Sequence, residues 1–308
     1  MYDIIIIGAG PAGLTAAIYA ERAEKETLVL EANSYGGQII TTDKIENYPG
    51  MPGVSGYDFA TALYKQAKDL GAEIKFEKAI EIKDNPKYKE VITEKGSYKA
   101  KAVIIATGAD NRKLGLKNED KLVGKGVSYC ATCDGAFYKK KIVAVNGGGN
   151  TALSEALYLS DLAKTVYLIY RRDEFTKASK TLVRKVEKKE NIKIMFNTII
   201  TKLNVKDGVL NSIDIETKDE EPSNLEINGL FVAVGHVPEN ENFAKLIKTD
   251  SAGYIISSED CLTNVDGIFV AGDNRVKEIR QLTTATADGT VAASAAIKYI
   301  NDMEEKNV

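Results

Sequence analysis

Cys130-Ala131-Thr132-Cys133-Asp134 places the chain's most reactive side chains at their closest spacing. Two residues between cysteines permit a disulfide across one helical turn, and a helix starting there favours the thiolate form. The pair reads as a redox couple, an inert core pair or half of a zinc site. Cys130, Cys133, Cys261 and His236 do add up to a Cys3His set. However, Cys261 and His236 stand singly, without paired ligand spacing, in separate predicted elements, so no metal is expected and Cys261 reads as a structural thiol. Asp134 is either a surface turn acid or the donor of the proton that a leaving thiolate needs.

Two glycine-rich patterns favour the redox reading. Asp3 to Ile7 is a short apolar run of the buried parallel-strand kind, followed by Gly8-Ala9-Gly10-Pro11-Ala12-Gly13. Leu14 to Glu24 then has helical spacing, and Thr27 to Leu30 reads as a strand ending at Glu31, 23 residues past the first glycine. The first glycine makes the tight turn, the second lets the backbone approach a pyrophosphate, and the third allows close helix–strand packing. The helix N-terminus presents N–H groups to the phosphates, and the Glu31 carboxylate can accept both hydrogen bonds of a ribose diol.

The pattern returns with the same spacing: a strand at Lys141 to Val145, Gly147-Gly148-Gly149-Asn150-Thr151-Ala152, a helix at Leu153 to Leu162, and a strand at Thr165 to Ile169. At the position of Glu31 stand Tyr170, Arg171 and Arg172. A carboxylate there repels a 2′-phosphate, whereas guanidinium groups bind it bidentately. The first site suits FAD or NAD and the second suits NADP.

These sites need elements to carry them. A length of 308 residues suggests about two domains. Ala102 to Ala106, ending in Thr107-Gly108, and Gly229 to Val234, ending in Gly235-His236, read as strands leaving the two nucleotide sheets. Turn-rich residues near Lys113-Leu114-Gly115 and after Pro238 suit crossover linkers. Phe269 to Asp273 and an Ala/Thr-rich helix near Thr283 to Ile300 return to complete the first domain. The expected architecture is α/β, with two Rossmann-like three-layer domains, the second (113–242) inserted into the first (1–112 and 243–308). Lys177 to Lys193 reads as a helix with a solvated lysine face.

Composition removes other function classes. Lys plus Arg number 41 against 44 Asp plus Glu, a net charge of −3, so nothing favours nucleic acid or an anionic membrane electrostatically. No run approaches the roughly 18 apolar residues of a membrane span. The single histidine rules out a site built from several, and a Ser-His-Asp triad would have to use His236. Met1-Tyr2-Asp3 before the isoleucines reads as a strand start rather than a signal peptide. Three cysteines are too few for a disulfide scaffold, so a cytoplasmic address is expected.

With Cys130-Ala131-Thr132-Cys133-Asp134-Gly135 followed by the second glycine pattern, the chain resembles the low-molecular-weight, bacterial-type thioredoxin reductases over essentially its whole length. Gly36-Gly37-Gln38, Glu46-Asn47-Tyr48-Pro49-Gly50 and Gly272-Asp273 with Arg280-Gln281 match in the expected order. The resemblance implies FAD on Gly8, Gly10, Ala12, Gly13 and Glu31, on Gly36, Gly37, Gln38 and Asn47, and on Thr107, Gly108, Gly272, Asp273, Arg280 and Gln281. It implies NADPH on Gly148, Gly149, Asn150, Thr151, Arg171, Arg172 and Lys177, a redox disulfide between Cys130 and Cys133 with Asp134 beside it, thioredoxin as partner, and a homodimer. The chain departs from the family at Tyr170, where histidine is usual, at Thr176-Lys177, where an arginine is usual, and at Asn146, where an apolar residue is usual. A ferredoxin-dependent flavin thioredoxin reductase is therefore the alternative expectation. Cysteines and second fingerprint share the inserted domain while the flavin residues share the other, so turnover is expected to include domain rotation about the linkers.

Overall fold

A computed structural model describes residues 1–42, 44–176 and 178–305. The chain divides into two compact units, Met1–Asp110 joined by the segment from Val237 onward, and Asn111–His236.

The first unit is organised by a run of isoleucines. Tyr2–Ile7 is buried from Ile4 on, as suits a parallel strand covered on both faces. It pairs in parallel with Thr27–Glu31 on one side, Ile5 opposite Leu28, and with Ser97–Ile105 on the other, Ile5 opposite Val103. Alternation sends Ile4, Ile6 and Val29 to one face and Ile5, Ile7 and Leu28 to the other. The first face packs on the helix Pro11–Arg22 and on the C-terminal helix Leu282–Glu305. Gly289 allows these helices to approach closely, since a Cβ there would lie 2.2 Å from the Ala12 carbonyl oxygen. Ser97–Ile105 changes neighbour along its length: its first half pairs antiparallel with Tyr88–Thr93, and its last residues pair in parallel with Ile268–Val270. The returning C-terminal segment thus completes the same sheet.

The second unit repeats the plan. Its five parallel strands run in the order Ile192–Met195, Thr165–Ile169, Ile142–Asn146, Gly229–Val232, Val127–Ser128. One face packs on the helix Asn150–Ser160 through Leu153, Ala156 and Leu159. The other is covered by an antiparallel sheet of Thr198–Lys206, Val209–Thr217 and Ser223–Glu226, which contributes Ile200, Leu203, Ile213 and Ile215. In both units the strand carrying the glycine turn has its next strand on one side and a much later one on the other. That is the topological switch point, where open α/β sheets bind ligands beyond the strand C-termini.

Two local expectations change. The lysine-rich helix spans only Lys180–Glu187, because Ile192 and Ile194 belong to a strand. Asn191, in the turn between them, donates to the Ser160 and Ala163 carbonyls at the end of the helix Asn150–Ser160. The turn at Lys113-Leu114-Gly115 lies within the second unit and is pinned there: the N–H groups of Leu114 and Gly115 donate to the buried Glu119 carboxylate at 2.9 and 2.8 Å.

Candidate redox and dinucleotide sites

Gly8 turns the chain out of the first strand at φ +110°, and a Cβ there would sit 2.3 Å from the Ala106 carbonyl oxygen. A Cβ on Gly13 would sit 1.9 Å from the Gly8 carbonyl oxygen, whereas one on Gly10 would meet nothing within 4 Å. Two glycines are therefore required by the protein itself, and the third leaves open space at the helix N-terminus. Pro11 opens that helix, where its missing N–H costs nothing. Glu31 reaches back to this turn and accepts the N–H of Ala9 at 2.8 Å and of Asn33 at 2.9 Å.

Other segments converge on the same turn. Gly36 donates its N–H to the Ala9 carbonyl at 2.8 Å, and a Cβ on Gly37 would stand 3.4 Å from the Gly10 Cα. Gln38 donates to the Ala109 carbonyl, beyond Thr107-Gly108. Asn47 donates to Gln281 at 3.0 Å, tying together two expected flavin residues that are distant in sequence. A Cβ on Gly272 would lie 3.0 Å from the Cβ of Ala12. Arg280 donates to the Asp273 carbonyl at 3.3 Å and stacks on Tyr254 at 4.2 Å.

Asp273 Oδ1 and, on the fingerprint helix, Thr15 Oγ1 are buried with no hydrogen-bond partner within the protein. Burial pushes the Asp273 carboxyl above its ordinary range. Buried polar atoms are rarely left unpaired. The orphaned Asp273 oxygen, the open face at Gly10 and the Glu31 carboxylate fit a group bringing polar hydroxyls and a pyrophosphate.

A buried ionic cluster that sequence reasoning did not single out supports this loop. Arg275 is 2% exposed and forks onto Asp288 through two contacts of 2.8 Å. Lys277 adds a third at 2.9 Å, and the N–H of Gly272 donates to the same carboxylate at 3.0 Å. Burial alone would raise the Asp288 carboxyl, but the bonds from Arg275 and Lys277 hold it below the ordinary carboxylate range. An acid amid the small residues of the C-terminal helix was the available signal. Cys261 is buried nearby, its thiol pushed up to about 12 by burial and then by Asp288, and its S–H donates to the Asp288 carbonyl.

In the second unit Gly147 makes the equivalent turn, where a Cβ would meet the Ala233 carbonyl oxygen at 2.3 Å, and Gly149 faces open space. Asn150 accepts the N–H of Ser179 at 2.8 Å, and Thr151 is exposed beside it. The position matching Glu31 differs in kind. The Tyr170 ring lies against Gly148 and stacks on Phe175, centroids 5.5 Å apart. No carboxylate stands there, and the next two side chains are the exposed guanidinium groups of Arg171 and Arg172. Lys177 lies outside the described residues.

Cys130 and Cys133 form a disulfide with Cα atoms 5.3 Å apart, both half-buried at the start of the short helix Ala131–Asp134. Three side chains hold this motif. Ser128 Oγ accepts the Cys130 N–H at 3.1 Å and donates to Asp134 Oδ2 at 2.7 Å. Tyr129 donates to Glu119 at 2.8 Å, and burial, then that carboxylate, raises its phenol, which stays protonated as a donor. Glu155, on the second fingerprint helix, accepts the Ala131 N–H at 3.4 Å, its Oε2 is buried without a partner, and burial pushes its carboxyl up to about 7. Ser128, Glu119 and Glu155 were not legible as site residues because each acts through a backbone or carboxylate contact set by the tertiary fold.

Two dinucleotide-type units sharing one chain with a Cys-x-x-Cys disulfide define a disulfide oxidoreductase served by nucleotide cofactors. The chain belongs to the pyridine nucleotide-disulphide oxidoreductase family, whose model matches residues 2–289. Membership implies use of a flavin and a pyridine nucleotide. The chain is 42% identical over 307 residues to the thioredoxin reductase of Listeria monocytogenes, covering 99% of this chain and 96% of that one. It is similar to the crystal structure of thioredoxin reductase from Streptococcus pyogenes MGAS5005, with a TM-score of 0.93, 38% identity and coverage of 98% and 99%. The thioredoxin reductase from Giardia duodenalis has a TM-score of 0.92, 37% identity and coverage of 97% and 99%. No helix among the described residues is long and apolar enough to cross a membrane.

Proposed function

We propose that this chain is a thioredoxin-disulfide reductase that takes its electron pair from NADPH through FAD. The observation that carries the reading is the Cys130–Cys133 disulfide, set in a unit that also holds a nucleotide fingerprint. In the first unit Gly8 to Gly13, Glu31, Gly36 to Gln38, Asn47, Thr107-Gly108, Gly272-Asp273, Arg280 and Gln281 hold FAD, with Asp273 Oδ1 accepting from it. In the second, Gly148 to Thr151 cradle the NADPH pyrophosphate, and Arg171, Arg172 and Lys177 take its 2′-phosphate. Bound flavin supplies the two-electron chemistry that joins a hydride donor to a disulfide.

The reduced Cys130–Cys133 pair attacks the thioredoxin disulfide through a mixed disulfide. One cysteine forms the bond, the other resolves it, and Asp134 delivers a proton to the departing thiolate. Since the cysteines and NADPH residues lie in 111–236 and the flavin residues lie elsewhere, turnover includes rotation of one unit relative to the other. We further propose a cytoplasmic homodimer. The ferredoxin-linked alternative is not favoured by relatives matching over nearly the whole chain.

Anaerobic mixing of purified protein with NADPH tests the reading. The protein is expected to be yellow and to bleach on mixing. A colourless protein overturns the flavin assignment, and a yellow one that bleaches only with reduced ferredoxin overturns the donor.

A further inference from the structure

The Cys130 N–H, the Ser128 hydroxyl and the Asp134 carboxylate form one directed chain. Cys130 donates to Ser128 Oγ at 3.1 Å, and Ser128 Oγ donates in turn to Asp134 Oδ2 at 2.7 Å. The hydroxyl is buried, with Ser128 only 3% exposed. Ser128 Oγ also lies 3.3 Å from the Cys130 carbonyl oxygen, a longer contact that the carboxylate outcompetes. Chained donors polarise one another, so the link is firmer than either bond alone. Ser128 closes its own strand, Val127–Ser128, immediately before the cysteine motif, so the hydroxyl is anchored by the sheet rather than by a loop.

We propose that Ser128 is a positioning residue for the thiol–disulfide exchange, holding the Asp134 carboxyl where it protonates the sulfur that leaves the substrate disulfide. The inference rests on the proposed acid role of Asp134. In the exchange, one cysteine thiolate bonds to a substrate sulfur and the substrate S–S bond breaks. The leaving sulfur departs with the electron pair and takes the Asp134 proton. The second cysteine then closes the Cys130–Cys133 disulfide, releasing the other substrate sulfur. The dithiol is oxidised, the substrate disulfide is reduced, and the second cysteine's proton returns Asp134 to its acid form. Ser128 also holds the Cys130 N–H, and its effect on proton delivery runs through Asp134.

The test compares Ser128→Ala, Ser128→Thr, Asp134→Asn and the Ser128→Ala/Asp134→Asn double variant as holoenzymes. Each is assayed with oxidised thioredoxin and with 5,5′-dithiobis(2-nitrobenzoate), whose aromatic thiolate leaves without needing a proton. Ser128→Ala is expected to lower kcat for thioredoxin about tenfold with little change in KM, and to leave the aromatic disulfide within about twofold. Ser128→Thr restores the rate, and Ser128→Ala adds nothing in the Asp134→Asn background. Equal loss with both disulfides, or an additive loss in the double variant, overturns the proposal in favour of a general structural role. Wild-type behaviour of Ser128→Ala beside an impaired Asp134→Asn overturns the positioning claim while sparing the acid. A fully active Asp134→Asn overturns the acid role itself and the proposal with it.

Discussion

The Tyr170 ring occupies the face of Gly148 so closely that a Cβ on the glycine would lie 2.3 Å from the ring. At the matching place in the other unit the Glu31 carboxylate holds the Ala9 N–H at 2.8 Å. One fold thus closes its two glycine turns differently, with a charge in one and an aromatic surface in the other.

Gly148→Ala therefore forces Tyr170 off its seat. It is expected to cost about 1–3 kcal/mol of stability, read from the urea midpoint. In a Tyr170→Ala background the same substitution should cost almost nothing, because the clashing ring is gone. Equal costs in both backgrounds would show that the ring is not what excludes a side chain at 148.

Gly10 and Gly13 separate the cofactor's needs from those of the protein. Gly13→Ala drives a methyl into the Gly8 carbonyl, only 1.9 Å away, and should destabilise the protein by about 3 kcal/mol or more. Gly10→Ala meets no protein atom within 4 Å. It should fold normally yet retain little flavin, measured as flavin absorbance per protein after gel filtration. Full flavin retention by Gly10→Ala would place the pyrophosphate elsewhere.

Asp288 satisfies Arg275, Lys277 and the Gly272 N–H together, so Asp288→Asn leaves two buried cations short of a counter-charge. A loss of about 3–5 kcal/mol is expected. Asp288 is held below its ordinary carboxyl value of 3.8, so its contribution is present above that value and is lost as pH falls through the lower folded value. The variant's acid unfolding curve should lack this component. An unchanged curve would mean that Asp288 does not carry the ionic cluster.

Glu155 has the opposite sign. Burial raises its carboxyl from 4.5 to about 7, so the folded protein keeps a proton that the unfolded chain has lost. Its contribution is full below pH 4.5 and declines as pH rises toward 7. Glu155→Gln can still accept the Ala131 N–H and should flatten stability against pH across that window, leaving the variant the more stable protein at pH 8. Parallel stability curves for the two proteins would show that Glu155 ionises normally.

Much of this site was legible because glycine spacing encodes backbone geometry directly. The turns at Gly8 and Gly147 and the cysteine spacing follow from short segments whose conformation is local, whereas the hold of Glu31 on the Ala9 N–H is set by strand pairing across 22 residues. The closing strand Ile268–Val270 was legible through its apolar run, since a fully buried parallel strand needs no alternation. The lysine-rich segment misled because Lys and Glu suit a helix surface while the Ile192/Ile194 alternation that ends it is brief. Ser128, Glu119 and Arg275 could not be read in advance, because their partners are fixed by chain packing rather than by spacing, and Asp288 showed only as an acid amid small helix residues.

The central claim is that electrons reach thioredoxin only through Cys130 and Cys133. Its most direct test is NADPH-driven thioredoxin reduction by Cys130→Ser and by Cys133→Ser, with NADPH-to-ferricyanide transfer through the flavin measured on the same samples. Both variants should lose thioredoxin reduction by about a hundredfold or more while keeping ferricyanide reduction. Wild-type thioredoxin reduction in either variant would contradict the account.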